Sequence, residues 1–286
     1  MPWFQSRVAI LAKNITKATK HTFNSPINKD VSYLFDVQQH KPTMDKYKKL
    51  HLWMILPMVF MQFGIFRDYW GDFTDNAWSV HVHYWSGTIW YIYLIIQPYY
   101  ATHGQLAKHR TNGIIGMFLA GGVAITAFSM MYRDIATADR AVELRDAFGP
   151  FESWFFLGVA AVEIPMILAF AYAVIMGIIH RKNLENHAWW LISTVFIIMM
   201  PALGRGIQGL YIVSNLDQWP NIDVMPPVYF TQVLIIIMIL LAAWKFKKVK
   251  HPATWLAVAV NIYACFIEVL GRSEIVESFL RTLIKG

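Results

Sequence analysis

The sequence predicts an all-α fold: a polytopic transmembrane helical bundle of about seven spans, with the N-terminus on the inner side. Hydrophobic residues make up 56% of the 286 residues and the mean hydropathy is +0.39, which is too apolar for an ordinary soluble domain. Apolar stretches long enough to cross a bilayer recur along the chain. Lysine and arginine are concentrated in alternate connections between these stretches, and this bias sets the expected orientation.

Seven stretches have the length and composition of a membrane-spanning helix. They cover residues 51–66, 80–100, 113–132, 154–179, 188–210, 228–244 and 253–270. Helices are expected because a backbone inside a bilayer must satisfy its own hydrogen bonds, and the stretches are too long for barrel strands. The predicted organisation is therefore a basic cytoplasmic-side tail at 1–50, a transmembrane bundle at 51–270 and an amphipathic segment at 271–286.

Both flanking segments carry an amphipathic pattern. In the tail, apolar residues follow helical spacing beside lysines, which predicts a helix on the membrane surface. These residues are Trp3, Phe4, Val8, Leu11 and Ile15. In the C-terminal segment an apolar stripe of Val276, Phe279, Leu280 and Leu283 predicts a second surface helix.

The charges of the connections alternate in sign. Basic connections contain Lys108 and Arg110, Arg181 and Lys182, and the run KFKKVK from Lys245, whereas the others contain Asp68, Asp72 and Asp75, then Asp134 to Glu152, then Asp217 and Asp223. This alternation predicts that the N-terminus lies inside and the C-terminus outside. The net charge of +7 then predicts attraction to anionic lipids on the inner face. No nucleic-acid-binding pattern is present, and a bacterial inner membrane and an organelle membrane both fit the chain.

Several common chemistries are excluded by the residues. Cys265 is the single cysteine, so neither an intrachain disulfide nor a multi-cysteine metal site can form. The sequence has no G-x-S-x-G elbow, no phosphate-cradling glycine loop and no histidine boxes of the desaturase type. The last span lacks the lysine that a retinal Schiff base requires.

Ionisable residues inside the spans predict a polar pocket in the outer half of the bundle, because such residues are costly there and are usually functional. The predicted pocket consists of His83, Glu163, Arg205, Gln208 and Glu268. We expect Arg205 to pair with Glu163 or with Glu268. The neighbouring Gly204, Gly206 and Gly209 would allow close approach of a helix or a ligand. A structural clamp between helices is the alternative interpretation.

The two histidines that open the second span are expected to play different parts. Residues two apart on a helix point about 200° apart, so only one can face the bundle interior. Because Gly87 and Tyr91 share its face, His83 is predicted to face inward and His81 to lie at the interface.

Three blocks of the sequence resemble a family of multi-pass membrane proteins known mainly as a domain of unknown function. The blocks are HVHYWSGTIWYIYLIIQP, KHRTNGIIGMFLAGG and RKNLENHAWWLISTVFIIMMPALGR. The matching positions are His83, Gly87 and Gln97, then His109, Arg110 and Gly113, then His187, Trp190 and Arg205. Ala188 and Leu191 depart from the family's pattern. The layout of that family is similar to the haem-binding bundles of cytochrome b561 and ferric reductases.

The resemblance implies a single haem b as a candidate cofactor. His109 and His187 are the candidate metal ligands, and Lys108, Arg110, Arg181 and Lys182 would lie near the propionates. No span carries two buried histidines at different depths, which argues against a two-haem protein. The functional hypothesis is a redox or small-molecule binding site. A noncatalytic subunit or scaffold with membrane-protein partners, and a transporter, are the alternatives.

Overall fold

The computed structural model describes residues 47–285. These residues form helices and connecting segments, with no strand among them. Within the described chain, the residues from Lys49 onward make one compact unit. The predicted surface helix of the tail lies outside the described residues.

The described part of the chain contains eleven α-helices. They are α1 (Leu50–Ile65), α2 (Trp78–Thr102), α3 (Leu106–Glu143), α4 (Arg145–Phe148), α5 (Ser153–Ile179), α6 (Leu184–Ile197), α7 (Met200–Val213), α8 (Met225–Lys245), α9 (Pro252–Tyr263), α10 (Ile267–Gly271) and α11 (Glu274–Lys285). A π-helical turn, Phe66–Gly71, continues α1.

Six helical stretches of the described chain are long and apolar enough to cross a membrane. They are Leu50–Gly71, Leu106–Glu143, Ser153–Ile179, Leu184–Val213, Met225–Lys245 and Pro252–Gly271. The all-helical, multi-pass membrane architecture predicted from the sequence is therefore confirmed. The second predicted span is also a helix, the 25-residue α2, and it carries no Asp, Glu, Lys or Arg. It falls outside the six because its tyrosines, tryptophans and histidines lower its mean hydropathy.

Successive spans run in opposite directions, so the connections between them lie at two ends of the bundle. Connections 103–105, 180–183 and 246–251 form what we call the basic end, and connections 66–77, 144–152 and 214–224 form the acidic end. At the basic end, Lys248 Nζ of the 246–251 connection lies 2.6 Å from Glu185 Oε2 of α6. At the acidic end, Tyr69 Oη and His81 Nδ1 form a hydrogen bond of 3.0 Å.

Two of the predicted spans are discontinuous. The span predicted at 188–210 is divided between α6 and α7, and Pro201 lies in the first turn of the second piece. Proline lacks the backbone donor that a continuous helix needs and clashes with the preceding turn. The span predicted at 253–270 is divided by a 3-10 turn at Ala264–Phe266. Pro98 and Pro165, in contrast, lie within continuous helices.

Polar side chains join the helices across the bundle. Trp90 Nε1 of α2 donates to Thr194 Oγ1 of α6 over 3.1 Å, and Tyr91 Oη donates to the Val195 carbonyl over 2.7 Å. Trp189 Nε1 of α6 donates to Thr254 Oγ1 of α9 over 2.8 Å. Such interhelical hydrogen bonds fix the arrangement of helices where lipid supplies no hydrophobic driving force.

The C-terminal helix α11 packs on the acidic end of the bundle. Leu280 is fully buried in an apolar cluster with Met131 and Leu157, and Arg281 Nη1 lies 2.8 Å from Asp139 Oδ1 of α3. Ile275 and Phe279 remain exposed. The apolar residues of this helix are therefore divided between the protein core and an outward-facing stripe.

Candidate functional site

A cavity lies in the middle of the bundle, between α1, α2, α3, α5 and α7. Its volume is about 90 Å³. Its lining contains His83, Glu163 and Arg205 together with two tyrosines, Tyr84 and Tyr91. The rest of the lining is mostly apolar and comprises Met61, Ile65, Gly87, Val123, Ala127, Met130, Met166, Ile167, Ile198, Pro201 and Ala202. We call this space the central cavity.

The break between α6 and α7 forms one wall of the central cavity. Ile198 in the break and Pro201 at the start of α7 both line it. Arg205 follows Pro201 by four residues, about one helical turn, and therefore lies on the same face of α7. The proline that ends the helix before it thus helps to direct the arginine toward the cavity.

Arg205 lies among several acidic and phenolic groups without forming an ion pair with the described residues. Its guanidinium is within electrostatic range of Tyr84, Asp134, Asp68 and Glu163. The ion pairs among residues 47–285 are Arg145–Glu152, Lys248–Glu185, Arg272–Glu268, Arg281–Asp139 and Arg281–Glu277. The expected Arg205–Glu163 ion pair is therefore not formed.

Three other polar groups near the arginine have buried atoms without partners. His83 Nδ1, Glu163 Oε2 and Asp134 Oδ2 are buried and form no hydrogen bond. Leaving a buried polar atom unsatisfied costs about 1–3 kcal/mol. His83 and Glu163 line the central cavity, whereas Asp134 does not. Since native proteins rarely keep such atoms without a reason, two of them on one cavity wall are typical of a binding site.

Asp134 is a member of this cluster that the sequence analysis assigned to an acidic connection. In the structure, α3 continues to Glu143, and Asp134 is buried on its inner face with Met130 and Ala138. The spacing of four residues between Met130, Asp134 and Ala138 is the signal that would have identified it.

Tyr84 is the second residue that sequence reasoning missed. Its ring stacks on Tyr69, with centroids 4.4 Å apart and planes 17° apart. This stack fixes Tyr84 against the π-helical turn after α1, beside the guanidinium of Arg205. No spacing rule indicates this contact, because it depends on the position of that turn.

His81 and His83 lie in different surroundings. His83 lines the central cavity, and Ser86, one turn later, holds α2 against α3 through a 2.9 Å hydrogen bond to Thr126. His81 lies outside the cavity in an aromatic cluster, with its ring 4.7 Å from that of Phe73.

Two residues of the predicted pocket lie outside the central cavity. Glu268 is ion-paired with Arg272 at 3.0 Å on the outside of the acidic end, so the expected pairing of Glu268 with Arg205 is wrong. The 3-10 turn before α10 interrupts the helix, and Glu268 lines a separate surface pocket with Trp154 and Arg272. Gln208 is buried one turn after Arg205, and its Nε2 has no partner, but it does not line the cavity.

His109 and His187 lie together at the basic end. Their ring centroids are 6.1 Å apart and their planes are perpendicular. His187 Nδ1 hydrogen-bonds to the Gly177 carbonyl at 2.7 Å, and His109 Nδ1 is buried without a partner. No group of three or more His, Cys, Asp or Glu side chains in residues 47–285 is placed to hold a metal ion.

Comparison of the chain with protein-family models, with curated proteins and with solved structures finds no match.

Proposed function

We propose that this multi-pass membrane protein binds a small molecule with a carboxylate or carbonyl group in the central cavity. Arg205 would hold the oxygen atoms, and His83 and Glu163 would exchange a proton with the bound group. The observation that carries the proposal is a group of polar side chains at the central cavity that do not pair with one another. A guanidinium without an ion pair in the described chain faces a cavity where His83 Nδ1 and Glu163 Oε2 also lack partners.

The chemistry of the side chains supports this class of ligand. A guanidinium presents a planar fork of donors that matches carboxylate geometry and is less strongly hydrated than an ammonium group. Histidine is the side chain best suited to proton exchange near neutral pH. Met61, Met130 and Met166 line the central cavity. The flexible side chain of methionine adapts its shape to irregular apolar groups. The ligand would therefore combine one oxygen-bearing head with a small apolar body.

The proposal is tested by the thermal unfolding of the detergent-solubilised protein with defined probes. The probes are propionate and benzoate, compared with chloride at equal ionic strength, and a short-chain benzoquinone. A ligand at 100 times its Kd should stabilise the protein by about 2.7 kcal/mol. Arg205→Leu should abolish the shift, whereas the exposed Arg140→Leu control should retain it.

Each outcome of this experiment has a defined meaning. A shift with the carboxylates indicates an anion site, and a shift with the quinone indicates a carbonyl site. No shift with any of the probes would contradict the proposal. Misfolding of Arg205→Leu together with Arg205→Lys would instead favour a structural clamp.

A single haem b at the basic end is a second candidate, favoured by the neighbouring imidazoles of His109 and His187, whose centroids are 6.1 Å apart. One nitrogen of His187 is held by a backbone carbonyl, which is the usual way to orient an imidazole ligand. A haem held by these two residues would supply one-electron transfer. Its test is the optical spectrum of the purified protein before and after dithionite, with iron analysis. A Soret band that shifts on reduction and is lost in His187→Ala supports haem. A colourless, iron-free protein contradicts it.

We also propose that all seven predicted spans cross the membrane, with α2 as the seventh. It is uncharged, 25 residues long and packed between α1 and α3. The basic end would lie inside, since lysine and arginine favour the cytoplasmic side.

A further inference from the structure

A second pocket, separate from the central cavity, lies at the basic end between α5, α6 and the connection from α8 to α9. Its volume is about 420 Å³, which is within the range of small-molecule sites. Its lining includes His180, Trp190, Lys247, Lys248, Lys250 and His251. We call it the basic-end pocket.

The charge of this pocket is positive and incompletely neutralised. Lys248 is almost buried and lies 2.6 Å from Glu185, so its charge has a local partner. Lys247 and Lys250 are exposed and pair with no carboxylate of residues 47–285. Two ammonium groups therefore border the pocket with their charge available to an anion.

Hydrogen bonds hold the backbone of the connection that carries these lysines. The Lys248 amide donates to the Ala243 carbonyl over 2.6 Å, and the His251 amide donates to the Lys248 carbonyl over 2.9 Å. Lys247 takes the left-handed conformation, with φ at 57°, which turns the chain sharply at the end of α8. The two free lysines thus extend from a hydrogen-bonded turn.

The histidines of the pocket complete a set of donors. His251 Nδ1 accepts a hydrogen bond of 3.2 Å from the Ala253 amide, so its proton is on Nε2, where it can be donated. The ring of His251 is held edge-on against Trp190, with centroids 5.4 Å apart. His180 Nδ1 is bound to the Met176 carbonyl at 2.8 Å, which fixes the orientation of that ring as well.

The surroundings of the pocket are those of a membrane interface. Trp244 and Trp255 are exposed near the same end of the bundle, and tryptophans are enriched at the boundary between lipid and water. Lys245 Nζ lies 4.1 Å above the ring of Trp53. Basic pockets between helices at such a boundary are typical sites for phosphate head groups.

We infer that the basic-end pocket binds a phosphate ester, with Lys247 and Lys250 contacting the phosphate oxygens and His251 Nε2 donating to them. A lipid head group and a free phosphate share this chemistry. The inference does not depend on the function proposed for the central cavity, because the two pockets share no lining residue.

The test measures binding to the full-length protein in neutral detergent by calorimetry. The probes are short-chain phosphatidic acid, phosphatidylglycerol and phosphatidylcholine, with inorganic phosphate and glycerol phosphate as soluble competitors. The double variant Lys247→Gln/Lys250→Gln should weaken phosphatidic acid binding about tenfold or more. The double variant Lys247→Arg/Lys250→Arg should retain it.

The matched control is Arg181→Gln/Lys182→Gln, which removes two positive charges at the same end but outside the pocket. It should change the affinity by no more than about threefold. Competition by inorganic phosphate at similar concentrations would identify a soluble phosphate ester as the ligand, and its failure to compete would identify a lipid. Equal losses in the two Gln variants, or equal binding of phosphatidylcholine, would overturn the inference.

Discussion

Gly206 of α7 packs directly against Gly64 of α1. A Cβ atom on Gly206 would lie 2.7 Å from the Gly64 Cα and 3.1 Å from its carbonyl oxygen, so the two backbones meet without side chains between them. Small residues permit this close approach between membrane helices. Because Arg205 immediately precedes Gly206, this helix crossing also sets the position of the guanidinium relative to α1.

Gly206→Ala should therefore destabilise the protein by about 1–3 kcal/mol, since the added methyl group overpacks a backbone contact. Gly204→Ala is the matched control. Its Cβ would meet only the Thr231 Cγ2 atom, at an ordinary 3.9 Å, and alanine favours a helix over glycine. The midpoint of thermal unfolding in detergent measures both variants. Equal midpoints for the two variants would contradict the close packing of α1 and α7.

Gln232 of α8 is a position where a substitution should stabilise the protein. It is fully buried, and neither its Nε2 nor its Oε1 has a hydrogen-bond partner. Gln232→Met keeps a similar volume and removes both unsatisfied atoms, so it should stabilise the protein by about 1–3 kcal/mol. The adjacent Thr231→Val control loses the 2.7 Å hydrogen bond to the Pro227 carbonyl and should cost about 1 kcal/mol. Loss of stability in Gln232→Met would show that the amide has a partner.

The fold was largely predictable because membrane spans have a strong signal in one dimension. Apolar length alone located the helices that contain Glu163 and Arg205. It could not locate the ends of α3, since the last part of that helix, which includes Asp134, is polar in sequence and yet helical. The break before Met200 was also not assigned, because Pro98 and Pro165 show that a proline inside a span need not interrupt it.

The candidate site was predictable in part for a related reason. Burial cost singled out His83, Glu163 and Arg205, and these three line one cavity. The depth of a residue along its helix does not determine which neighbouring helix its side chain faces. Glu268 was therefore assigned to the same pocket, although it pairs with Arg272 on the surface of the acidic end. Which groups share a pocket depends on helix rotation and on breaks, and neither is encoded in hydropathy.

His251 should make the stability of the basic end depend on pH. The pKa of His251 is lowered from 6.5 to about 4. Burial of the ring is the main cause, and the nearby Lys248 and His180 lower it further. The neutral ring caps α9 by accepting from the Ala253 amide. The pKa of His251 is therefore lower in the folded protein than in the unfolded chain. The stabilisation that the neutral His251 cap provides is complete above pH 6.5 and is lost as the pH falls toward 4.

The loss should be about 1 kcal/mol, the usual contribution of an N-cap. His251→Asn keeps a capping acceptor that does not titrate, so its unfolding midpoint should fall less than that of the original protein between pH 7.5 and 4.5. The difference between the two proteins removes the effect of the other titrating groups. Parallel pH profiles would contradict the role of His251 as a cap.

The orientation of the bundle is open to a direct labelling test. Cys265 is the single cysteine of the chain, so Cys265→Ala provides a background for Asp146→Cys at the acidic end and Lys182→Cys at the basic end. Both positions are exposed. If the basic end faces the cytoplasm, a membrane-impermeant maleimide applied to intact cells should label Asp146→Cys at once and Lys182→Cys only after permeabilisation. Permeabilised cells should show similar labelling at both positions, which controls for reactivity. Labelling of Lys182→Cys alone in intact cells would reverse the orientation and place the basic-end pocket on the outside. Labelling of both positions in intact cells would show that an even number of spans separates them.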